Sequence, residues 1–359
     1  MTQCGGLITV FLAALGLLAG LACAEHESLQ FQIRAALAHR LAGDSAIVTL
    51  PLQQAGTKMW TSALFGVPLV VDLGSSMLAT CNASAAAYVV PATLDGLDIG
   101  CVSYGKAGSG EFWAGPLLSS TLNIAGTATS ATLQVHNASV FVATAYRVFC
   151  GAHDGVDMQG IFGLGNATGD VSQTSAAMIT SCADTSVVKR GAVPPVFAQI
   201  MAAAAADSFA VYLNEPTSSG ALDLGSNLSV PSPATLVATE LLLIEAGNYR
   251  VYIASIGLEG SQQQTQIDDY YTLDTGTPQF LVSKAVYDAL CQPSCPTAGN
   301  LTFVLESGAT LVMDLALLQN YGTAPLTGNS SSTLIGMPFW FFYGTVFNVQ
   351  ASTVSFWQM

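Results

Sequence analysis

One pattern occurs twice in this chain, and the repetition constrains the fold more than any other feature. Leu69-Val70-Val71-Asp72-Leu73-Gly74-Ser75-Ser76 and Tyr271-Thr272-Leu273-Asp274-Thr275-Gly276-Thr277 each run a hydrophobic strand into Asp-x-Gly-Ser/Thr. The strand carries the carboxylate into the interior. The glycine permits a tight turn and close backbone approach, and the hydroxyl residue after it can hydrogen-bond the carboxylate. A single strand ending in Asp-x-Gly is an ordinary turn signal. Two of them, about two hundred residues apart in a chain of 359, point to two related halves that each contribute one carboxylate. Facing carboxylates cannot both ionise readily, so such a pair shares one proton. It can then deprotonate a water with one member and protonate a carbonyl oxygen with the other.

The rest of the chain supports the division into halves. The length suffices for two domains. Alternating apolar runs such as Leu117 to Ile124, Ala131 to Val135 and Tyr249 to Leu258 read as strands. Helices are expected at Ile33 to Arg40, at Pro194 to Ile200, extended by the alanines that follow, and at Val282 to Leu290 behind a Ser283 cap. Val230-Pro231-Ser232-Pro233 interrupts any regular element and marks the boundary between the halves. Lys and Arg total 9 against 23 acids, a formal charge of -14. That balance excludes nucleic-acid binding, which needs a basic footprint.

Leu7 to Leu21 is apolar apart from Thr9 and precedes Ala22-Cys23-Ala24. This reads as a secretion signal over residues 1–24, although no Lys or Arg precedes the run, and a retained membrane anchor is the alternative. Six of the eleven Asn residues sit in glycosylation sequons: Asn82, Asn137, Asn166, Asn227, Asn300 and Asn329. Without Cys4 and Cys23, six cysteines remain, an even count that suggests disulfides in a secreted chain. Six allow fifteen connectivities. Proximity favours Cys81–Cys101, Cys150–Cys182 and Cys291–Cys295.

From about Trp60 onward the chain resembles the pepsin-like aspartic peptidases. Besides the two Asp motifs, Gln159-Gly160-Ile161-Phe162-Gly163-Leu164-Gly165 and Leu334-Ile335-Gly336-Met337-Pro338-Phe339 are similar to that family's two crossing segments. The resemblance implies an all-β chain with short helices, folded as two β-rich lobes around a central cleft. The N-terminal lobe would span 46–230 and the C-terminal lobe 231–359, with 25–45 a short basic propeptide or a simple N-terminal helix. It implies a secreted or acidic-lumenal endopeptidase with Asp72 and Asp274 as catalytic residues, supported by Gly74, Ser75, Thr275, Gly276 and Thr277. Cys101-Val102-Ser103-Tyr104-Gly105 and the glycines after it resemble the family's flap, which would set Tyr104 and Gly105 over the substrate. The partner expected is an extended peptide or protein substrate in the cleft. No metal or organic cofactor, no nucleic acid, no membrane span after signal removal and no second subunit are expected.

The sequence also departs from the family pattern. Leu73 replaces a Thr or Ser whose hydroxyl, in the family, ties the two loops together. Ala79 stands where a Trp usually supports the flap tyrosine, Pro278 follows Thr277 where Ser or Thr is common, and Gln159 replaces an Asp. The hairpin before Asp72 is short and resembles that of the plant xylanase inhibitors, a branch without catalysis. The alternative reading is therefore a catalytically impaired homologue acting as a binding or inhibitor protein.

Overall fold

The computed structural model describes residues 47–56, 58–81, 98–104, 111–125, 132–147, 149–153, 155–165, 169–173, 188–214, 219–259, 264–291, 294–320, 326–328 and 333–359. The expected signal and propeptide segments, Gly105 and the flap tip, Cys182, and the sequons at Asn82, Asn166 and Asn329 lie outside them.

Strands dominate, and their side chains show why. Asn248–Leu258 alternates partly buried and buried residues, as a strand with one face on the core must. Ser208–Leu213 is buried at every position, which fits its unbroken apolar sequence and its place between two other strands. That strand lies in a six-stranded antiparallel layer. Val48–Ala55 pairs with Ser219–Gly225, which pairs with Ser208–Leu213. Ser208–Leu213 then pairs with Tyr343–Asn348, which pairs with Thr353–Gln358, which pairs with Thr235–Glu245. Three strands come from each half, so the halves share one sheet.

The core is continuous across them. Phe209 stacks on Phe347 at 4.5 Å between ring centroids and meets Phe197 and Tyr249 edge-on. The buried Tyr249 hydroxyl donates to the Leu164 carbonyl at 2.9 Å, so a phenol of the second half satisfies a backbone group of the first.

The two Asp motifs occupy equivalent positions. Leu69–Asp72 runs parallel to Gly160–Gly163, with Asp72 opposite Gly163. The end of Gln264–Asp274 runs parallel to Leu334–Gly336, with Asp274 opposite Gly336. In both cases the opposing glycine lets a loop pass close by. A methyl group on Gly163 would stand 2.6 Å from the Ser75 carbonyl oxygen, and one on Gly336 2.1 Å from that of Gln279. The two crossings thus have the same construction despite little shared sequence.

Several local expectations need correction. Helix Val196–Ala203 starts after Pro195 and is extended through Ala202 and Ala203 as expected; it ends before the run does, where Ala205 turns to φ 50°. Helix Lys284–Leu290 has the expected Ser283 cap, whose hydroxyl accepts from the Val286 amide. Helix Leu315–Asn320 was not foreseen; Asp314 begins it by accepting from the Ala316 and Leu317 amides. Cys81 pairs with Cys150, not with its sequence neighbour Cys101, which is itself disulfide-bonded. The reason is topological. Leu78–Thr80 lies parallel to the end of Thr132–Val142, which brings the chain around 150 beside residue 81. Cys291–Cys295 forms as proximity suggested.

Candidate active site

Asp72 and Asp274 end their strands as buried residues, 5% and 8% exposed. Each is held first by its own loop. The Gly74 amide donates to Asp72 Oδ1 at 2.8 Å, and the Gly276 amide donates to Asp274 Oδ1 at 2.8 Å. Each carboxyl then lies against the glycine of the other loop. A methyl group on Gly74 would stand 2.6 Å from Asp274 Oδ1, and one on Gly276 2.4 Å from Asp72 Oδ1. The loops interleave, and the two carboxyl groups hydrogen-bond to each other.

This environment sets the protonation. Burial pushes Asp72 up to about 8, the negative charge of Asp274 pushes in the same direction, and the hydrogen bond between them adds to both. The Ser75 hydroxyl and the Gly74 amide oppose the rise. A pair of this kind keeps one proton over a wide pH range, so it offers an acid and a base within one hydrogen bond.

The hydroxyl supports are unequal. Thr277 donates to Asp274 Oδ2 at 2.6 Å. Ser75, at the matching position, is buried near Asp72 but its hydroxyl oxygen reaches no partner at full hydrogen-bond geometry. Thr275, wholly buried, donates to the Val71 carbonyl at 2.7 Å and accepts from the Leu73 amide at 3.0 Å, so it ties its loop to the other half twice. Its counterpart Leu73 is buried in the apolar core and has no hydroxyl to return the tie.

Two residues here escaped the sequence reading. Lys58 begins the strand Lys58–Thr61, and its Nζ donates to the Gly276 carbonyl at 3.1 Å. Trp113 lies on Glu111–Ala125, which pairs with the Tyr104 strand Ile99–Tyr104 and sets Val102 opposite Trp113. The Trp113 indole donates to the Tyr104 hydroxyl at 3.0 Å, and Phe149 stacks on the Tyr104 ring. Trp113 is wholly buried and sits in a cluster that includes Ala79. Ala79 brings no indole to this cluster, and Trp113 supplies the one beside Tyr104. Trp113→Phe should keep an aromatic ring in the cluster and remove the indole's hydrogen bond to the Tyr104 hydroxyl, with a stability loss of about 1 kcal/mol in urea denaturation.

No family model and no curated protein sequence matches this chain. Solved structures do match its fold. An aspartic proteinase from Irpex lacteus aligns with a TM-score of 0.61 at 17% identity, over 88% of this chain and 98% of its own. Basic 7S globulin from soybean aligns with a TM-score of 0.59 at 19% identity, over 86% and 95%. The fold is therefore the bilobal pepsin-like one, mostly β with a few short helices.

Proposed function

We propose that the protein is an aspartic endopeptidase working in a secreted or acidic lumenal setting. The observation that carries this reading is the buried, mutually hydrogen-bonded pair of Asp72 and Asp274, one from each half, each also held by its own glycine amide. The ionised member takes a proton from a water whose oxygen attacks the peptide carbonyl carbon. The protonated member gives its proton to the carbonyl oxygen. The resulting tetrahedral diol collapses as the amide nitrogen accepts a proton from the pair and one diol hydroxyl returns its proton to the pair; the carbonyl re-forms, the C–N bond breaks, and the pair again holds its single shared proton. Tyr104, steadied by Trp113, closes over the extended peptide together with Gly105, and Thr277 orients Asp274. The disulfides Cys81–Cys150 and Cys291–Cys295 support an oxidising compartment. The exposed Asn137 and Asn227 are the sequons best placed to carry glycan.

A second reading is a binding protein on the same scaffold. It is favoured by Leu73, by a Ser75 hydroxyl that supports Asp72 less well than Thr277 supports Asp274, and by the fact that a protein named as a globulin shares the fold. Cleavage of denatured haemoglobin from about pH 2 to 7 decides between the two readings. Activity at acid pH that a pepstatin-type inhibitor blocks is the expected result. A folded, glycosylated protein that cleaves nothing, even after residues 1–45 are removed, would establish the second reading instead.

A further inference from the structure

The two carboxylate loops are built alike but tied unequally, and the inequality points to a residue that neither motif contains. Asp72 opposite Gly163 and Asp274 opposite Gly336 place the loops in equivalent surroundings. Thr275 uses its hydroxyl to join the Val71 carbonyl and the Leu73 amide of the other half. By that equivalence, a hydroxyl at position 73 would join the Leu273 carbonyl and the Thr275 amide. Leu73 cannot do this. The first half nevertheless reaches the second loop by another route, because Lys58 donates to the carbonyl of Gly276.

The position of that bond gives it consequence. Gly276 donates its amide to Asp274 and lies against Asp72 Oδ1. The Gly276 Cα, which joins that amide to the carbonyl held by Lys58, therefore lies between the two carboxyls, and fixing the carbonyl limits how far amide and Cα can shift. Lys58 is partly buried and is held from both sides. Its strand pairs with Val48–Ala55, with Lys58 opposite Ala55, and with Leu69–Asp72 through Trp60 and Thr61. The strand that carries Asp72 thus also carries the neighbour that reaches Gly276. The chain has only 9 Lys and Arg in 359 residues, so a cation spent on an interior carbonyl beside this pair is a specific placement.

We infer that Lys58 is a positioning residue whose bond to the Gly276 carbonyl replaces the tie between the halves that a hydroxyl at position 73 would make. It acts through the Gly276 peptide and does not touch the reacting atoms. The inference gives the proposed endopeptidase its alignment, but the tie itself exists whether or not the pair is catalytic.

The test is a double-mutant cycle in the full-length glycosylated protein, using Lys58→Met and Leu73→Thr and reading the unfolding equilibrium in urea. Lys58→Met should favour unfolding by roughly tenfold with Leu73 present, as loss of a hydrogen bond to a charged group does. With Thr at position 73 the same change should cost clearly less, because the second tie is restored. Equal losses in both backgrounds, or no loss in either, would overturn the inference. Since Leu73 is buried and its replacement is open to misfolding, Lys58→Met alone is also followed by amide exchange. Faster exchange confined to residues 72–76 and 273–277 is expected. An unchanged pattern, or a uniform rise that includes the distant strand Asn300–Leu305, counts against it. If haemoglobin cleavage is observed, kcat should fall in Lys58→Met with little change in KM, and Leu73→Thr should recover it. If the protein cleaves nothing, the urea cycle and the exchange pattern still decide the role of Lys58.

Discussion

Asp72→Asn is expected to lower peptide hydrolysis by about three orders of magnitude while making the protein more stable near neutral pH. The first effect follows from removing one member of the acid–base pair. The second follows from the direction of the Asp72 shift. Its folded-state value is raised from 3.8 to about 8, chiefly by burial and then by Asp274. Between those values the folded protein binds more protons than the unfolded chain. Stability therefore falls as pH rises through that window, by at most about 1.4 kcal/mol per pH unit for one group. The contribution is full below the unfolded value and is lost as pH climbs past the folded one. Asparagine does not titrate, so the variant should lack this decline. Urea denaturation of both proteins at several pH values from about 4 to 8 checks it. Parallel stability curves would show that Asp72 does not carry the raised proton affinity.

Gly276→Ala should damage activity far more than its size suggests. The added methyl would overlap Asp72 Oδ1 at 2.4 Å and crowd Asp274 Oδ1 at 3.2 Å. The backbone cannot retreat, because the neighbouring Thr275 hydroxyl and Lys58 hold the loop from the other half. The carboxyl groups must move apart instead. Overpacking of this kind costs about 1–3 kcal/mol of stability, and a misplacement near 1 Å lowers turnover about a hundredfold. Gly225→Ala is the matched control. Its added methyl would meet its nearest neighbour at an ordinary 3.4 Å, so it should be close to neutral in both urea denaturation and hydrolysis. If Gly276→Ala behaves like that control, the interleaving of the loops is looser than described.

The sequence revealed most where the fold is local and repeated. Each Asp-x-Gly-Ser/Thr follows directly on its strand, and each crossing segment places its glycine by a parallel pairing set within a few residues. What it hid depends on which strands meet, whether nine residues apart, as for Trp113 and Tyr104, or far more. The Trp113 indole meets Tyr104 only because a hairpin sets their strands side by side. Cys81 meets Cys150 only through the parallel contact of Ala79 with Phe141 and Thr80 with Val142. Lys58 reaches Gly276 across 218 positions, a distance over which spacing carries no information. The missing hydroxyl at Leu73 was legible, and its loss of one tie between the loops was expected. The lysine contact on the same loop was not, since it comes from an unremarkable strand outside any motif.

The shared six-stranded layer bears on the order of events during synthesis. Thr353–Gln358 is an interior strand of that layer, flanked by Tyr343–Asn348 and Thr235–Glu245. Until residues 353–358 have been made, the second half's share of that layer has a gap one strand wide, and Thr235–Glu245 lacks its neighbour there. The strands of the first half can pair with one another before then, whereas the second half's share of the layer closes only once Thr353–Gln358 has taken its place.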